Sequence, residues 1–384
     1  MALCRFDEDT GKLEYLKTEN PDLSCNCTVW NAEKKILYIN NEVHNNPDYP
    51  KGGGGLVYAF RVDTENAEFE LINKAESCSP CPSYISLDKT GKYLICSNHS
   101  GMNAVTRGVK GPDGFWHTEV LYDDASVVLF KINEDGSIGP ITDIKNHNMY
   151  PCSPSTLHSH PHTAKMSPDG SMFACCDKGD SHIYFYAVNY DEETLSLLSE
   201  PYFDNAGASP RYCAFHPGKQ WFFVNHERDL RVTAYRYDKA GHLEEINTAF
   251  AVPESLCNMD TVDLREALHN ETVAPPADGF QPKEQQGFVI SKDGKYLYDA
   301  LNGGDAVAVF GINQETGAIT LLQTKVVSGR WIRGCELSPD GRFLLTSALQ
   351  NGGVSVFPVL PDGTLDDCVS RVEIRGGSYI TFLN

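Results

Sequence analysis

The chain has 384 residues, 41% of them hydrophobic, and a formal net charge of -20 from 52 acidic and 32 basic side chains. Such a field repels nucleic acid and anionic membrane surfaces, so neither is expected as a partner, and an anionic small molecule must be met by local basic groups. No stretch approaches the roughly 18–20 consecutive apolar residues of a membrane span.

The opening "MALCRFDEDTGKLEYL" has no basic segment followed by an apolar one, so no signal peptide is read there. Its apolar positions look like the outer strands of a sheet unit. The 13 cysteines are scattered along the chain, a pattern that suits a reducing cytoplasm. Cys78 and Cys81 form a C-x-x-C without a second pair at zinc-finger spacing, and are read as loop thiols.

From there one phrase recurs. It reads, weakly, "TVWNAEKKILYINNE", then "YISLDKTGKYLICSNHS", "HTAKMSPDGSMFACCDKGD", "RYCAFHPGKQWFFVNHE", "GFVISKDGKYLYDALNGGD" and "GCELSPDGRFLLTSALQ". Each copy is a short apolar strand, a Pro/Asp/Gly turn and a second strand, followed by a third strand rich in Val, Tyr and Phe. Turn chemistry between alternating apolar runs predicts hairpins. Where nothing is inserted the spacing is about 50 residues, the length of a four-stranded propeller blade. The closing "GGSYITFLN" is a lone apolar strand. Pairing it with the N-terminal strands makes a seventh blade and removes exposed sheet edges. The expectation is therefore an all-β, seven-bladed β-propeller, a single domain over 1–384, with insertions at about 101–125 and 239–285. Within the second insertion, "DLREALHNE" reads as a short helix.

The repeat also sets a register. The turns begin at Asn31, Asp88, Ser167, His216, Ser291 and Ser338. Five places earlier stand Asn26, Ser83, His162, Arg211, Gln286 and Arg333, all polar at the start of apolar strands. Eleven places after the same origins stand Glu42, His99, Lys178, Glu227, Asn302 and Leu349. In an antiparallel hairpin the start of one strand and the end of the next share an end. Both rings should then crowd one mouth of the central channel, where a small-molecule site is expected. Strand ends are often wet, which accounts for polarity but less well for the mixture of His, Arg, Glu and Lys.

Residues 158–170, "HSHPHTAKMSPDG", place His158, His160 and His162 at alternate positions, able to share one face of an extended chain. Three readings stay open. They are zinc ligands, with Asp177 and Glu227 completing the set; or a polar loop without a role; or, for His162, a group working with Arg211 and Glu227 of the neighbouring repeat.

The pieces "HPHTAKMSPDG", "SPRYCAFHP" followed by "VNHE", "NNE" at 40–42, "SVVLFKINEDGSIGP" and the closing "ITFL" resemble the seven-bladed lactonase family. That family includes propeller-type 6-phosphogluconolactonases and fungal 3-carboxymuconate cyclases. The resemblance covers nearly the whole chain and implies a cofactor-independent hydrolase opening a sugar lactone, phosphorylated or not. A lactonizing cyclase, or another lyase or isomerase at the same mouth, is the alternative, and a non-catalytic binding propeller is a third reading. The family's catalytic positions match His162, Arg211 and Glu227, and His160 matches the first of its paired histidines. The chain departs from the family at Leu301-Asn302, where Asn-Arg is usual, leaving Arg333 and Lys178 as the further cations.

In a lactonase, His162 is expected as general base, Arg211 as the clamp on the developing oxyanion, and Glu227 as the group orienting them; the converse has Glu227 as base and His162 as acid. His160, His99, Lys178, Arg333, Glu42, Asn302 and Gln286 are expected around the substrate. No cofactor is called for, with a divalent metal as the alternative.

Overall fold

The repeat turns explain how the hairpins form. In Ser167-Pro-Asp-Gly170 the Asp169 carboxylate accepts from Ser167 Oγ and Ser171 N, and the Gly170 amide bonds back to Ser167 O. Ser291-Lys-Asp-Gly294 and Ser338-Pro-Asp-Gly341 repeat the serine–aspartate bond and the glycine return. The three glycines sit at φ of 69°, 72° and 76°, a left-handed backbone that a side chain would strain.

A computed structural model describes residues 1–383 except 21, 47, 49–51, 101–103, 148–157, 205–207 and 271–282. Six blades are each built as an antiparallel meander, the second interrupted by an inserted hairpin. Their inner strands are Cys25–Asn31, Pro82–Leu87, Lys165–Met166, Pro210–Phe215, Glu284–Ile290 and Arg330–Leu337. The second strands, such as Ile36–Asn41, Tyr93–Asn98 and Trp221–His226, are buried along their whole length. Neighbouring blades cover both of their faces, and the apolar runs carry no alternation for that reason. Outer strands such as Glu68–Glu76 have only one face to bury and turn the other to solvent.

The blades are joined near the mouth by side chains that bond the next blade's backbone. Asn26 Nδ2 donates to Ser83 O at 3.1 Å, Ser83 Oγ to His162 O at 3.1 Å, and Thr163 Oγ1 to Arg211 O. Asn225 Nδ2 reaches Gln286 O at 2.9 Å, Cys335 Sγ reaches Gly287 O at 3.2 Å, and Arg333 Nη2 returns to Asn26 Oδ1 at 3.1 Å. Inside this ring a cavity of about 280 Å³ is lined by Tyr84, Lys165, Tyr212, Phe288, Arg333 and Tyr379 among others.

The seventh unit is built from both ends of the chain. Strands Ala2–Phe6 and Leu13–Thr18 form a hairpin. Ser378 Oγ donates to Cys25 O at 2.7 Å, and the hydroxyls of Thr381 and Thr28 are bonded to each other. Phe382 meets Phe6 edge-on at 5.5 Å, and Phe6 meets Phe343 at 5.8 Å. The expected pairing of terminal strands is thus corrected in detail: among the described residues the closing segment joins no regular ladder. It is held by side chains between the first and sixth blades, directly after Gly376 and Gly377.

The second insertion differs from its expected bounds, whereas the first holds an inserted hairpin between 101 and 125. Ala104–Lys110 and Trp116–Tyr122 form a separate two-stranded hairpin. Residues 239–250 belong to the fourth blade, because Leu243–Phe250 is its outer strand. The second insertion therefore begins after Phe250. It contains the helix Thr261–His269, capped by Asp260 Oδ1 accepting from Asp263 N at 2.9 Å. Arg265 Nε bonds Asp305 Oδ2 at 2.7 Å and fixes the helix beside the end of the Tyr296–Asn302 strand. Residues 101–103 and 271–282 of these insertions lie outside the described residues. Among the described residues no helix is long and apolar enough to cross a membrane.

Removing residues 378–384 should expose the aromatic contacts that close the ring. The expected outcome is a loss of about 3 kcal/mol or more in urea unfolding. A truncated chain with an unchanged midpoint would show that closure does not depend on this segment.

Candidate active site

Because inner strands begin and second strands end at the same mouth, charged residues from several blades meet there. Arg211 and Glu227 are both buried on the fourth blade. Arg211 Nε lies 2.7 Å from Glu227 Oε2, and Lys178 of the third blade reaches the same carboxylate at 2.9 and 2.7 Å. Burial alone would push the Glu227 carboxyl up; Lys178 first and Arg211 second more than reverse this and hold it at about 2. A carboxylate held so low is a fixed counter-ion at neutral pH and not a proton acceptor.

Arg211 lies over the Tyr212 ring at 4.8 Å, and His162 meets the same ring edge-on at 5.0 Å. Arg211 Nη1 and His162 Nδ1 are buried and receive no hydrogen bond partner among the described residues. Burial, then the charges of Arg211 and Lys178, push His162 well below the usual imidazole range. His162 is therefore neutral and protonates with difficulty.

His99 and His160 stack at 4.4 Å, and His99 lies 5.7 Å from His162. His160 Nδ1 donates to His99 O at 2.6 Å, leaving Nε2 as the acceptor of a neutral ring. Burial, then Lys178, lowers His160 to about 4. His158 stacks on His160 at 4.3 Å, bonds Ser100 Oγ at 3.0 Å, and lies against Tyr122 of the inserted hairpin. The alternating histidines thus form a row leading outward and do not converge on one point.

Asp177 is turned away from that row's ring nitrogens. It accepts from His160 N at 2.6 Å, Gly179 N at 2.9 Å and His147 Nδ1 at 2.9 Å, so it is not free to complete a metal set. Among the described residues no three His, Cys, Asp or Glu side chains converge as metal ligands.

On the far side of the mouth, Arg333 faces Glu42 at 3.5 Å. Gln286 Nε2 and Asn302 Nδ2 both donate to Glu284 Oε2, at 2.9 and 3.3 Å. Leu349 stands half-buried at the sixth blade's position. Ser83, although in register, spends its hydroxyl on the next blade's backbone. Glu284 was missed by the repeat count, which lands on Gln286. The available signal was parity, since residues two apart share a face of a strand. Tyr212, the platform shared by Arg211 and His162, was missed because the count passed over its odd position.

The comparisons agree with this architecture. A family model described as the lactonase family of seven-bladed β-propellers matches residues 2–382. A 6-phosphogluconolactonase of Bacillus subtilis is 23% identical over 322 residues, covering 83% of this chain and 77% of that protein. One from Formosa agariphila is 23% identical over 385 residues, covering 98% and 93%. The periplasmic gluconolactonase of Pseudomonas aeruginosa superposes with a TM-score of 0.75 at 21% identity, over 98% of this chain and 93% of that one. With the model matched from end to end and seven propeller units closing on a common mouth, the chain belongs to the seven-bladed β-propeller lactonase family.

Proposed function

We propose that the mouth hydrolyses a sugar lactone, with side chains alone and no cofactor. The observation that carries this is the Arg211–Glu227–Lys178 cluster. A buried carboxylate holds a guanidinium in place, and that guanidinium has a donor, Nη1, unused within the described chain. Opening a lactone moves negative charge onto the carbonyl oxygen, and a preorganised cation in a water-poor site stabilises it without rearranging at the moment of reaction. His162, neutral and on the same Tyr212 platform, accepts a hydrogen bond from the attacking water. The amide oxygens Gln286 Oε1 and Asn302 Oδ1 are buried without partners among the described residues and suit sugar hydroxyls. The free thiols of the described cysteines suit a reducing compartment such as the cytoplasm.

The direct test is acid release in a pH-stat from a panel of sugar lactones, phosphorylated and free. Enzyme-like hydrolysis of at least one is expected; none from the whole panel rejects the reading. On the substrate so found, Arg211→Met should lower kcat by about 10²–10³-fold. His162→Ala should lower it by about 10²-fold with an unchanged melting temperature. Near-full activity in either variant removes that residue from the mechanism.

Glu227 also makes a prediction about stability. Its folded pKa is depressed from 4.5 to about 2, so its contribution is present above pH 4.5 and lost as pH falls toward 2. Glu227→Gln leaves Arg211 and Lys178 without their anion and should destabilise the protein by about 3 kcal/mol at pH 7. Urea midpoints measured against pH should show that gap closing on the acid side. A gap independent of pH contradicts the assignment.

A further inference from the structure

We propose that Glu284 is the proton carrier of the reaction, taking the proton from the attacking water and returning it to the ring oxygen that leaves. This deepens the lactone-opening reading and rests on it.

Among the described residues, Glu42, Glu227 and Glu284 stand at the mouth, and their surroundings separate them. Glu227 is held by two cations and Glu42 faces Arg333. Glu284 has no Lys, Arg or His within ion-pair distance among the described residues. It is held instead by neutral amides, and both of the hydrogen bonds it receives from described side chains go to Oε2. Oε1 is thereby left for reactants while the carboxyl plane is fixed. Gln286 and Asn302, which fix it, are themselves more than nine-tenths buried.

Position around the ring supports the role. Glu284 starts the fifth blade's inner strand, Arg211 stands on the fourth and His162 on the third. The oxyanion clamp therefore lies between the two groups. A lactone carbonyl set against Arg211 has His162 on one side and Glu284 on the other. The backbone ties the two carboxylates together as well, since Gln285 N donates to Glu227 O at 3.1 Å. Burial first, and then the negative charge of Glu227, push the Glu284 carboxyl up, with Arg211 and Lys178 opposing. Glu227 moves the other way. Two neighbouring carboxyls driven apart in this manner divide the labour: one stays an anion and the other exchanges a proton. His162 is held neutral by burial and by the charges of Arg211 and Lys178.

The step balances within the site. Water oxygen bonds to the carbonyl carbon while one water proton passes to the Glu284 carboxylate. The carbonyl electron pair moves to its oxygen, facing Arg211. When that pair returns, the bond between the carbonyl carbon and the ring oxygen breaks, and Glu284 gives its proton to the departing oxygen. One water is consumed, the product carries a hydroxyl and a carboxyl group, and Glu284 ends as it began.

The test uses the full chain and whichever lactone of the panel the wild type opens, with kcat and KM measured against pH for wild type, Glu284→Gln, Glu284→Asp and His162→Gln. Glu284→Gln should lose about 10²-fold or more in kcat, with KM changed by no more than a few-fold. The acid limb of the wild-type profile should be flattened in it. Glu284→Asp should recover part of the rate and keep an acid limb, which a purely structural role would not produce. Where the glutamine variant fails to melt cooperatively, a folded Glu284→Asp variant with the full wild-type rate and no acid limb overturns the role. An active wild type whose Glu284→Gln variant retains its rate or its acid limb overturns the role of Glu284 alone. So does loss of that limb in His162→Gln and not in Glu284→Gln. A wild type inert toward every lactone overturns the reaction itself, and with it this role.

Discussion

The architecture depends on side chains that cross from one blade to the backbone of the next at the mouth end of the ring. Asn26, Ser83, Thr163, Asn225 and Cys335 each make such a bond, and Arg333 reaches the Asn26 side chain. A blade alone is an antiparallel meander that leaves its second strand uncovered on both faces. Only the neighbours on either side bury it, and only a closed ring supplies neighbours to all. Buried polar atoms at the strand starts must find acceptors, and the adjoining carbonyls provide them at fixed positions. The blades are thereby held in register about the axis, which in turn fixes where the mouth residues stand.

The same constraint shapes the chemistry of the mouth. Arg211, Lys178 and Glu227 could not share a buried place as isolated charges, because desolvation would exceed what each gains. Together they form a compact pair of cations on one anion. This leaves Arg211 oriented, with its buried Nη1 short of a partner among the described residues. The histidines respond in the opposite sense. Crowded by burial and by these cations, His99, His160 and His162 remain neutral. The mouth therefore sets a guanidinium held by a carboxylate beside the uncharged imidazoles of His99, His160 and His162, with Glu284 as the proposed proton carrier.

The insertions frame this centre and do not replace it. The hairpin Ala104–Tyr122 reaches the histidine row through Tyr122 on His158. The helix Thr261–His269 leans on the fifth blade through Arg265 and Asp305 and through Leu264, which is buried against that blade. Both rise from the mouth end, since each follows or adjoins the end of a second strand.

The chain's repeats were enough to read six hairpins, their turns, the number of blades and the end of the ring at which polar residues gather. Those features follow from local rules: a serine–aspartate–glycine turn closes the same way wherever it occurs, and strand parity is set by the backbone. His162, Arg211 and Glu227 were legible as ring positions for the same reason. What each of them does was not. The Lys178 contact that helps set Glu227 low, and the Arg211 charge that helps keep His162 neutral, run between blades about 50 residues apart in sequence. Asp177 looked like a ligand until the fold turned it toward backbone amides and His147. Glu284 fell inside the insertion read at about 239–285 and was not singled out, because only the fold brings Gln286 and Asn302 onto it. Register along a strand is a property of the sequence, whereas protonation belongs to the assembled ring, because burial and neighbouring charge exist only once the blades have met.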